Sequence, residues 1–386
     1  MQSAPHTFDI LIIGAGPAGT AAAVTACNAG LTAAIIDKAK FPRAKLCGGL
    51  ITGRSRILYR EIFGQDLAPA LFEQRDRIAF FANGAPLGGE VDSPPIYLTM
   101  RWDMDAHLLD MARAAGATDL TGQRIAQLDA NAVSATLEDG RTITGRVMIG
   151  ADGVNSIVAR TLFGRAFDPA TIGFALETEA PFDLTPQTIR VDLGAADWGY
   201  GWRFAKAGST TIGIGGLEAR NPAMKSALAA YRAQMGDDSD TRIKGHFLPF
   251  GDYRRIPGRG RVLLAGDAAG LVDPITGEGI AYAMQSGAAA AVAAARSIAK
   301  DRPDAALPAY RRALRPIHRA LRMACWLRPL MFGARGQRLF HHAFARSAVL
   351  KGAYLRLLAG QTEYPAVCAL VLRRLPGALW RHKHGG

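Results

Sequence analysis

Hydrophobic positions near the N-terminus predict a strand, a helix and a second strand. Residues 10–13 form an uninterrupted apolar run, residues 17–29 are rich in alanine, and residues 33–36 form a second apolar run. Short runs without polar positions are typical of parallel strands that are covered on both faces. We therefore predict parallel strands at residues 8–13 and 32–36, joined by a helix.

The periodicity changes further along the chain. Residues 171–250 alternate apolar and polar positions, which is typical of an antiparallel sheet with two different faces. Asp103 is expected to cap a helix at residues 104–115. Shorter apolar segments predict strands at residues 77–82, 96–101, 118–128, 132–138 and 142–149.

Two later regions are predicted to be helical. The first comprises the alanine-rich residues 279–299, which are predicted to form one long helix. Residues 38–56, earlier in the chain, are predicted to form a long basic loop. After Pro303 the chain is expected to be helical to its end. Breaks are expected at the prolines of this region, Pro316, Pro329, Pro365 and Pro376.

A glycine-rich turn follows the first predicted strand, and the second strand ends at Asp37, eighteen residues after Gly19. Glycines in such a turn let the backbone approach a pyrophosphate, the helix N-terminus favours its negative charge, and the acidic residue binds ribose hydroxyls. This pattern predicts a dinucleotide site. Its residues are Gly14, Gly16, Pro17, Ala18, Gly19 and Asp37.

Two acidic turns indicate which dinucleotide is bound. Asp152-Gly153 ends one predicted strand, and Gly266-Asp267 ends another and leads to glycines before the long helix. Such turns place a carboxylate near a ribityl hydroxyl and helix amides near a phosphate. With the first turn they resemble the FAD-binding pattern of the para-hydroxybenzoate-hydroxylase-like flavoproteins. The resemblance implies FAD contacts from Asp152, Gly153, Gly266, Asp267, Pro274, Gly277, Gly279 and Ile280.

Basic residues add to the predicted cofactor site. Lys38 and Arg43 follow Asp37 and are expected on the adenosine phosphate side. Arg101 ends a predicted strand, where it would meet the FAD phosphates or the ribityl chain. The alternatives are a solvated basic loop for the first two and a surface ion pair for Arg101.

A basic segment that ends in Cys47-Gly48-Gly49 resembles the geranylgeranyl reductase family, in which such a segment precedes Cys-Gly-Gly-Gly. Leu50 stands where the family has its last glycine. The resemblance implies an FAD-dependent oxidoreductase that reduces carbon–carbon double bonds of a polyprenyl or related lipid. It also implies that Cys47 and Gly48 contact the cofactor and that Gly48 and Gly49 lie beside the substrate.

The same family has an aromatic strand of the form Pro-x-x-Tyr-x-Trp-x-Phe-Pro. This chain keeps Tyr200, Trp202 and Phe204 but has Asp197 and Ala205 in place of the prolines. The three aromatic residues alternate along a strand and share one face. They are expected either to line a substrate tunnel or to pack an ordinary core.

Reduction of an isolated alkene needs a proton donor near the flavin. Cys47 is the first candidate, and Tyr200 is the alternative. NAD(P)H or a reduced electron-carrier protein is expected as the electron donor. Two other functions remain open: an FAD-dependent monooxygenase of an aromatic or isoprenoid substrate, and a non-catalytic membrane-surface flavoprotein.

Charge is concentrated at the C-terminal end. Residues 301–386 carry sixteen Lys and Arg against three Asp and Glu, an excess equal to the net charge of +13 of the whole chain of 386 residues. Interleaved aromatic and aliphatic residues, among them Trp326 and Trp380, indicate basic amphipathic helices that lie on an anionic membrane surface. The alternative is a solvated basic surface over ordinary core helices. Nucleic acid is not expected, because no motif for it is present.

Cysteine and histidine spacing predicts no metal site and no disulfide framework. The first strand begins near residue 8, so no signal peptide is expected, and no apolar run reaches the length of a membrane span. We expect a cytoplasmic protein, peripheral at the inner face of the membrane. The oligomeric state is left open.

The predicted fold class is α/β: a Rossmann-like FAD-binding domain with an inserted antiparallel β-sheet substrate domain and a helical C-terminal region. The FAD-binding domain would comprise residues 1–165 and 256–300, the substrate domain residues 166–255, and the basic helical region residues 301–386.

Overall fold

The computed structural model describes residues 6–181 and 187–373, which form two β-sheets and helices. Strands and helices are numbered in chain order. The first sheet contains β1 (His6–Ile13), β2 (Ala33–Asp37), β7 (Thr118–Thr121), β8 (Ile125–Asp129), β9 (Ser134–Leu137), β10 (Thr142–Gly150), β16 (Gly258–Arg259) and β17 (Val262–Leu264). The second contains β3 (Leu50–Ile51), β4 (Glu73–Ala82), β5 (Ala85–Pro86), β6 (Val91–Leu98), β11 (Gly173–Ala180), β12 (Ile189–Leu193), β13 (Tyr200–Lys206), β14 (Ser209–Leu217) and β15 (Lys244–Leu248).

The helices cover these sheets and form the C-terminal region. They are α1 (Pro17–Asn28), α2 (Gly53–Phe63), α3 (Arg101–Ala114), α4 (Ile157–Phe163), α5 (Met224–Gln234), α6 (Ile280–Ile298), α7 (Ala306–Ala313), α8 (Arg315–Phe332), α9 (Gln337–Arg346) and α10 (Ala348–Leu358). Residues 364–373 are also helical.

The first sheet has the order β16-β17-β10-β1-β2-β7, and the β8–β9 hairpin is attached to β10. β1 lies parallel to β10 and β2 in the middle, which explains its uninterrupted apolar run. α1 and α6 cross in close contact, because a Cβ at Gly287 would lie 2.0 Å from the carbonyl oxygen of Ala18. This close crossing explains why both helices are so rich in alanine. The predicted Rossmann-like region and the α/β fold class are confirmed.

The second sheet has the order β15-β11-β14-β13-β12-β4-β6-β3. Its pairings along this order are antiparallel except for β12 with β4. Four of its strands come from residues 50–98, so the first 165 residues contribute strands to both sheets. α5, which the alternating pattern did not predict, packs its apolar face against β14 through Leu228 and Tyr231.

The C-terminal helices belong to the cores of both sheets. Tyr310 on α7 and Leu321 on α8 pack in the core of the first sheet, and the Tyr310 hydroxyl donates a hydrogen bond to the carbonyl oxygen of Leu264 at 2.8 Å. Phe332, Phe344 and Leu355 pack against the second sheet. These helices therefore complete the fold.

Several local predictions were wrong. The predicted loop at residues 38–56 contains β3 and the start of α2, and the strand predicted at residues 96–101 ends at Leu98. α3 begins at Arg101 with Met100 as its N-cap, which is earlier than the predicted start after Asp103. The ion pair between Arg101 and Asp105, one turn apart, stabilises this additional N-terminal part of the helix. Pro329 lies inside α8, which continues to Phe332. Pro316 lies in the first turn of α8, where the missing N–H is harmless, and the chain is interrupted at Leu314 between α7 and α8, so the break predicted near this proline is present.

Within residues 6–181 and 187–373 we find no helix with the length and hydropathy needed to cross a bilayer. The same residues contain no group of three or more His, Cys, Asp or Glu that would hold a metal ion.

Candidate active site

One large cavity, with a volume of about 790 Å³, takes its wall from both sheets and from α10. Almost all of the predicted site residues line this cavity. Gly19 and Pro274 are the two that are buried behind the wall. A Cβ at Gly19 would lie 1.8 Å from the carbonyl oxygen of Gly14, so this glycine allows α1 to pack closely on β1.

Two of the predicted turns touch each other at one end of the cavity. Gly14 has a φ of 103°, and a Cβ on it would lie 2.4 Å from the carbonyl oxygen of Ala151. Gly14 must therefore be glycine for the turn after β1 to meet the turn after β10. Gly16, in contrast, faces open space, where a Cβ would meet only the Arg43 side chain at 3.7 Å.

Asp37 and Asp152, two carboxylates at this end of the cavity, accept hydrogen bonds from other groups of the protein. Asp37 accepts from the amides of Ala15 and Ala39, both at 2.9 Å, so its carboxylate is held at the end of β2. Asp152 accepts from the Ser156 hydroxyl at 2.5 Å and from the amide of Ile157 at 2.7 Å. Burial raises the pKa of Asp152, although these hydrogen bonds oppose the shift. Asp152 thus also stabilises the start of α4.

A cluster of cations lies beside Asp267. Arg101 pairs with Asp105 through two hydrogen bonds of 2.8 and 2.9 Å, and Arg43 reaches the same carboxylate at 3.2 Å. Burial alone would lower the pKa of Arg101. The charges of Asp105 and Cys47 and their hydrogen bonds to Arg101 have a larger, opposite effect, so the pKa is raised. Burial lowers the pKa of Lys45 to about 8, against the attraction of Asp267. This part of the wall therefore favours an anion.

The segment Cys47-Gly48-Gly49 crosses from the cation cluster to the second sheet. The amide of Cys47 donates to Glu177 Oε1 at 3.0 Å, and Cys47 Sγ accepts from the amide of Gly49 at 3.4 Å. A Cβ at Gly48 would lie 2.7 Å from the Phe204 ring, and one at Gly49 would lie 2.0 Å from the carbonyl oxygen of Thr99. Both glycines are required by these close approaches, whichever ligand is bound.

The aromatic strand β13 places Tyr200, Trp202 and Phe204 on the cavity wall. The Tyr200 hydroxyl donates a hydrogen bond to the carbonyl oxygen of Thr276 at 2.7 Å. Trp202 lies over Gly213 of β14, where a Cβ would be 2.3 Å from the indole ring. The three aromatic residues both line the cavity and pack against neighbouring strands, so the two alternatives raised by the sequence are compatible.

The family model for an FAD binding domain matches residues 7–174 and 252–324 of this chain. A menaquinone reductase of Mycobacterium tuberculosis is 31% identical over 75% of this chain and 77% of its own length. A geranylgeranyl diphosphate reductase of Rhodobacter capsulatus is 33% identical over 77% of each chain. The chain belongs to the geranylgeranyl reductase family of FAD-dependent oxidoreductases.

A solved structure of a geranylgeranyl bacteriochlorophyll reductase-like protein from Thermoplasma acidophilum has the same fold, with a TM-score of 0.79 and 20% identity. The match covers 96% of this chain and 100% of that protein. The predicted family, the predicted FAD cofactor and the predicted class of enzyme, an FAD-dependent oxidoreductase, are confirmed by these comparisons.

The cavity fits the cofactor of this family. Its volume lies within the range of about 300–1,000 Å³ that is usual for ligand pockets. Gly16 leaves the main chain open to a pyrophosphate, and the cations Arg43, Lys45 and Arg101 supply positive charge beside it. Asp37 and Asp267 are the carboxylates on the wall that would accept from hydroxyl groups of FAD.

Several wall residues were missed by the sequence analysis. Glu278 lies between Gly277 and Gly279, where it accepts hydrogen bonds from Thr52 and Ser55 and faces Arg54 at 3.6 Å. Burial raises the pKa of Glu278 to about 7. A glutamate between two glycines of the predicted cofactor site was a signal that the sequence did contain.

Other missed residues had no local signal. His246 on β15 lines the cavity, where burial lowers its pKa to about 3 and the cations Lys45 and Arg101 add to the shift. Tyr354 and Leu358 on α10 close the cavity from the C-terminal region, for which the sequence predicted a membrane surface and no part in the active site. No hydrogen bond to the Tyr354 hydroxyl forms within the described part of the chain.

Proposed function

We propose that this protein reduces carbon–carbon double bonds of a polyprenyl or related isoprenoid lipid. The proposal rests on the continuity of the cavity. The half of the cavity that fits FAD, here called the cofactor half, is continuous with an apolar half. The apolar half is lined by Ile78, Val191, Trp202, Phe204, Leu248 and Leu358. Such a wall selects an apolar chain, and two relatives are named as reductases of geranylgeranyl diphosphate and menaquinone.

Cys47 is the proposed proton source. Reduced FAD, when bound, would supply a hydride. The Cys47 thiol would donate its proton to the alkene carbon that does not receive the hydride, and the resulting thiolate would regain a proton from water. Cys47 lies on the wall where the cation cluster meets the aromatic strand. Tyr200 is the weaker candidate, because its hydroxyl proton is already donated to Thr276.

The test is anaerobic reoxidation of the reduced flavoprotein by geranylgeranyl compounds, followed by absorbance and by mass spectrometry of the product. We expect Cys47→Ala to keep its FAD and to slow reoxidation by about 10²–10⁴-fold, the usual contribution of a general acid. Cys27→Ala is the matched control, because Cys27 lies on α1 behind the cofactor half.

Three outcomes would contradict parts of the proposal. A rate unchanged in Cys47→Ala would exclude Cys47 as the proton source. No reoxidation by any polyprenyl compound would exclude the reductase function. A hydroxylated product formed only with dioxygen would indicate a monooxygenase.

The proposed electron donor is NAD(P)H or a reduced carrier protein. The sequence has a single dinucleotide fingerprint, so NAD(P)H would dock without a second nucleotide-binding domain. Mixing the oxidised protein with NADH, NADPH or reduced ferredoxin without oxygen distinguishes the donors, because only a competent donor bleaches the flavin.

The proposed route of the lipid starts at an anionic membrane surface. Arg315, Arg319, Arg322 and Trp326 are exposed and spaced so that they share one face of α8, and Trp326 is 74% exposed. An exposed tryptophan among arginines is typical of a helix that lies at a membrane interface. α10, which closes the apolar half, belongs to the same C-terminal region.

Not all of the C-terminal charge is available to a membrane. Arg328 donates to the carbonyl oxygen of Phe250 at 3.0 Å, Lys351 donates to that of Ala345 at 3.1 Å, and both are buried. Arg374, Trp380, Arg381 and Lys383 lie outside the described residues. The exposed face of α8 is therefore the part of the predicted membrane surface on which the proposal rests.

Vesicle flotation with and without anionic lipid tests this surface. Removal of residues after 299 would strip core residues such as Tyr310, so point substitutions are the cleaner variants. Each basic residue near an anionic leaflet contributes about 1 kcal/mol, so reversing Arg319 and Arg322 to Glu is expected to weaken binding more than about tenfold. Reversing the exposed Arg60 and Lys225 is the charge-matched control. Equal loss in both double variants, or equal binding to neutral vesicles, would contradict the proposal.

A further inference from the structure

Glu177 on β11 is a buried acid whose two oxygens have different surroundings. The residue is 6% exposed, and Oε1 accepts a hydrogen bond from the backbone amide of Cys47 at 3.0 Å. Oε2 is buried and has no hydrogen-bond partner among the residues that the structure describes. A carboxylate with one unsatisfied oxygen is costly in a protein interior, which indicates a task beyond packing.

Charged groups approach Glu177 from the neighbouring strands. Glu179 follows on the same face of β11, Lys206 lies on β13, and Lys244 of β15 is the ladder partner of Glu177. Lys206 is already bound to Glu179 at 3.2 Å and to the Thr211 hydroxyl. On the remaining side, β14 places Gly213 opposite Glu177 and adds no charge.

These surroundings make Glu177 titrate near neutral pH. Burial raises the pKa of Glu177 to about 7, and Glu179 adds to the shift. The Cys47 amide and then the two lysines oppose it. The carboxyl group is therefore ionised above and neutral below about pH 7.

We infer that Glu177 is a positioning residue that holds the backbone amide of Cys47 tightly when ionised and more weakly when protonated. An ionised carboxylate accepts a charge-assisted hydrogen bond, which is stronger than a neutral one. The protonated form also carries an O–H, and Oε2 finds no acceptor for it within the described residues. The consequence for catalysis rests on the proposed role of Cys47, but the hydrogen bond itself does not.

Residue-resolved hydrogen exchange of the Cys47 amide tests the inference on the wild-type protein without substrate. After correction for intrinsic exchange, we expect protection of this amide to fall about fivefold as the pH decreases from 8 to 6, the difference between a charged and a neutral hydrogen bond. Protection that stays constant across this range would overturn the inference.

Two matched variants assign the effect to one carboxylate. Glu177→Gln keeps a neutral acceptor, so its Cys47 protection is expected to be low at both pH values. Glu179→Gln is the control from the same strand, with its carboxylate bound by Lys206, Ser209 and Thr211. It is expected to keep a pH-dependent protection of the Cys47 amide, moved to lower pH because the charge of Glu179 helps to raise the pKa of Glu177. A pH dependence that persists in Glu177→Gln would also overturn the inference.

Turnover separates this inference from the proposed function. If both hold, Glu177→Gln slows substrate-driven reoxidation above pH 7 and removes the change in rate near pH 7. If the proposed role of Cys47 is wrong, Cys47→Ala leaves turnover unchanged. Hydrogen exchange of the wild-type protein still shows pH-dependent protection of the Cys47 amide by Glu177.

Discussion

The cofactor half of the cavity is walled partly by the main chain of glycine turns, whereas the apolar half is walled by side chains. Gly14 and Gly16 form the first wall within a few residues of each other. The second wall draws Ile78, Val191 and Leu358 from β4, β12 and α10, which are far apart in the sequence. The turn that contains Gly14 and Gly16 is therefore a local feature of the chain, whereas the apolar wall exists only after folding.

This difference teaches where each half is vulnerable. At a glycine of a main-chain wall, the ligand occupies the space that a side chain would otherwise fill. Adding a Cβ there therefore blocks the ligand. A side-chain wall is altered by changing volume or polarity, and its effects are graded. Three predictions test this contrast between main-chain and side-chain walls, from the largest expected effect to the smallest.

The largest effect is expected from Gly16→Leu. A Cβ at Gly16 meets only Arg43 at 3.7 Å, so the fold is expected to persist while the side chain fills the path to the main chain. We expect FAD affinity to fall by at least about a hundredfold, which is about 2.8 kcal/mol. The measurement is FAD titration of the apoprotein followed by flavin fluorescence.

Gly89→Leu is the matched control, because a Cβ at Gly89 would have no neighbour within 4 Å. Normal FAD affinity in Gly16→Leu would show that the main chain at Gly16 is not part of the cofactor wall.

An intermediate effect is expected from Glu278, which lies where the two halves meet. Its pKa in the folded protein, about 7, is above its ordinary value, so the folded state binds more protons between about pH 4.5 and 7. Stability from this group is present below that window and is lost as pH rises through it, by at most about 3 kcal/mol.

Urea unfolding of the apoprotein at pH 5 and pH 8 measures this contribution. Glu278→Gln is expected to flatten the decline with pH, and the exposed Glu61→Gln is expected to leave it unchanged. A decline that remains at full size in Glu278→Gln would assign it to other groups, with Glu177 as the first candidate.

The smallest effect separates two tyrosines on the apolar wall. Tyr200→Phe leaves the carbonyl oxygen of Thr276 without its donor and is expected to cost about 1–3 kcal/mol of stability. Tyr354→Phe removes a hydroxyl that no described residue binds, so its stability is expected to change by less than about 0.5 kcal/mol.

Because Tyr354 lines the cavity, we expect its hydroxyl to bind a polar group of the substrate. We expect the apparent KM of Tyr354→Phe to rise about threefold to tenfold, with kcat little changed. Thermal unfolding and steady-state kinetics of the two variants make the comparison. Equal stability losses in both, or an unchanged KM in Tyr354→Phe, would contradict it.

The cofactor half was predictable from the sequence because its determinants are local. The turn at Gly14, its distance to Asp37, and the order of the two later acidic turns all lie within short stretches whose geometry follows from backbone rules. The strand β1, the alanine-rich helices and the fold class followed from periodicity for the same reason. The misplaced start of α3 and the proline inside α8 depended on an ion pair and on packing that periodicity does not contain.

Only the tertiary structure decided what faces the reaction site. It brought Cys47 to Glu177 across 130 residues, placed Tyr354 of the basic C-terminal region on the cavity wall, and engaged the hydroxyl of Tyr200 with Thr276. Contacts of this kind depend on how distant strands and helices pack, and a single sequence carries no periodic signal for them. The sequence by itself therefore determined the family, the cofactor and the main-chain half of the site. Packing decided the side-chain half and the environment of each titratable group.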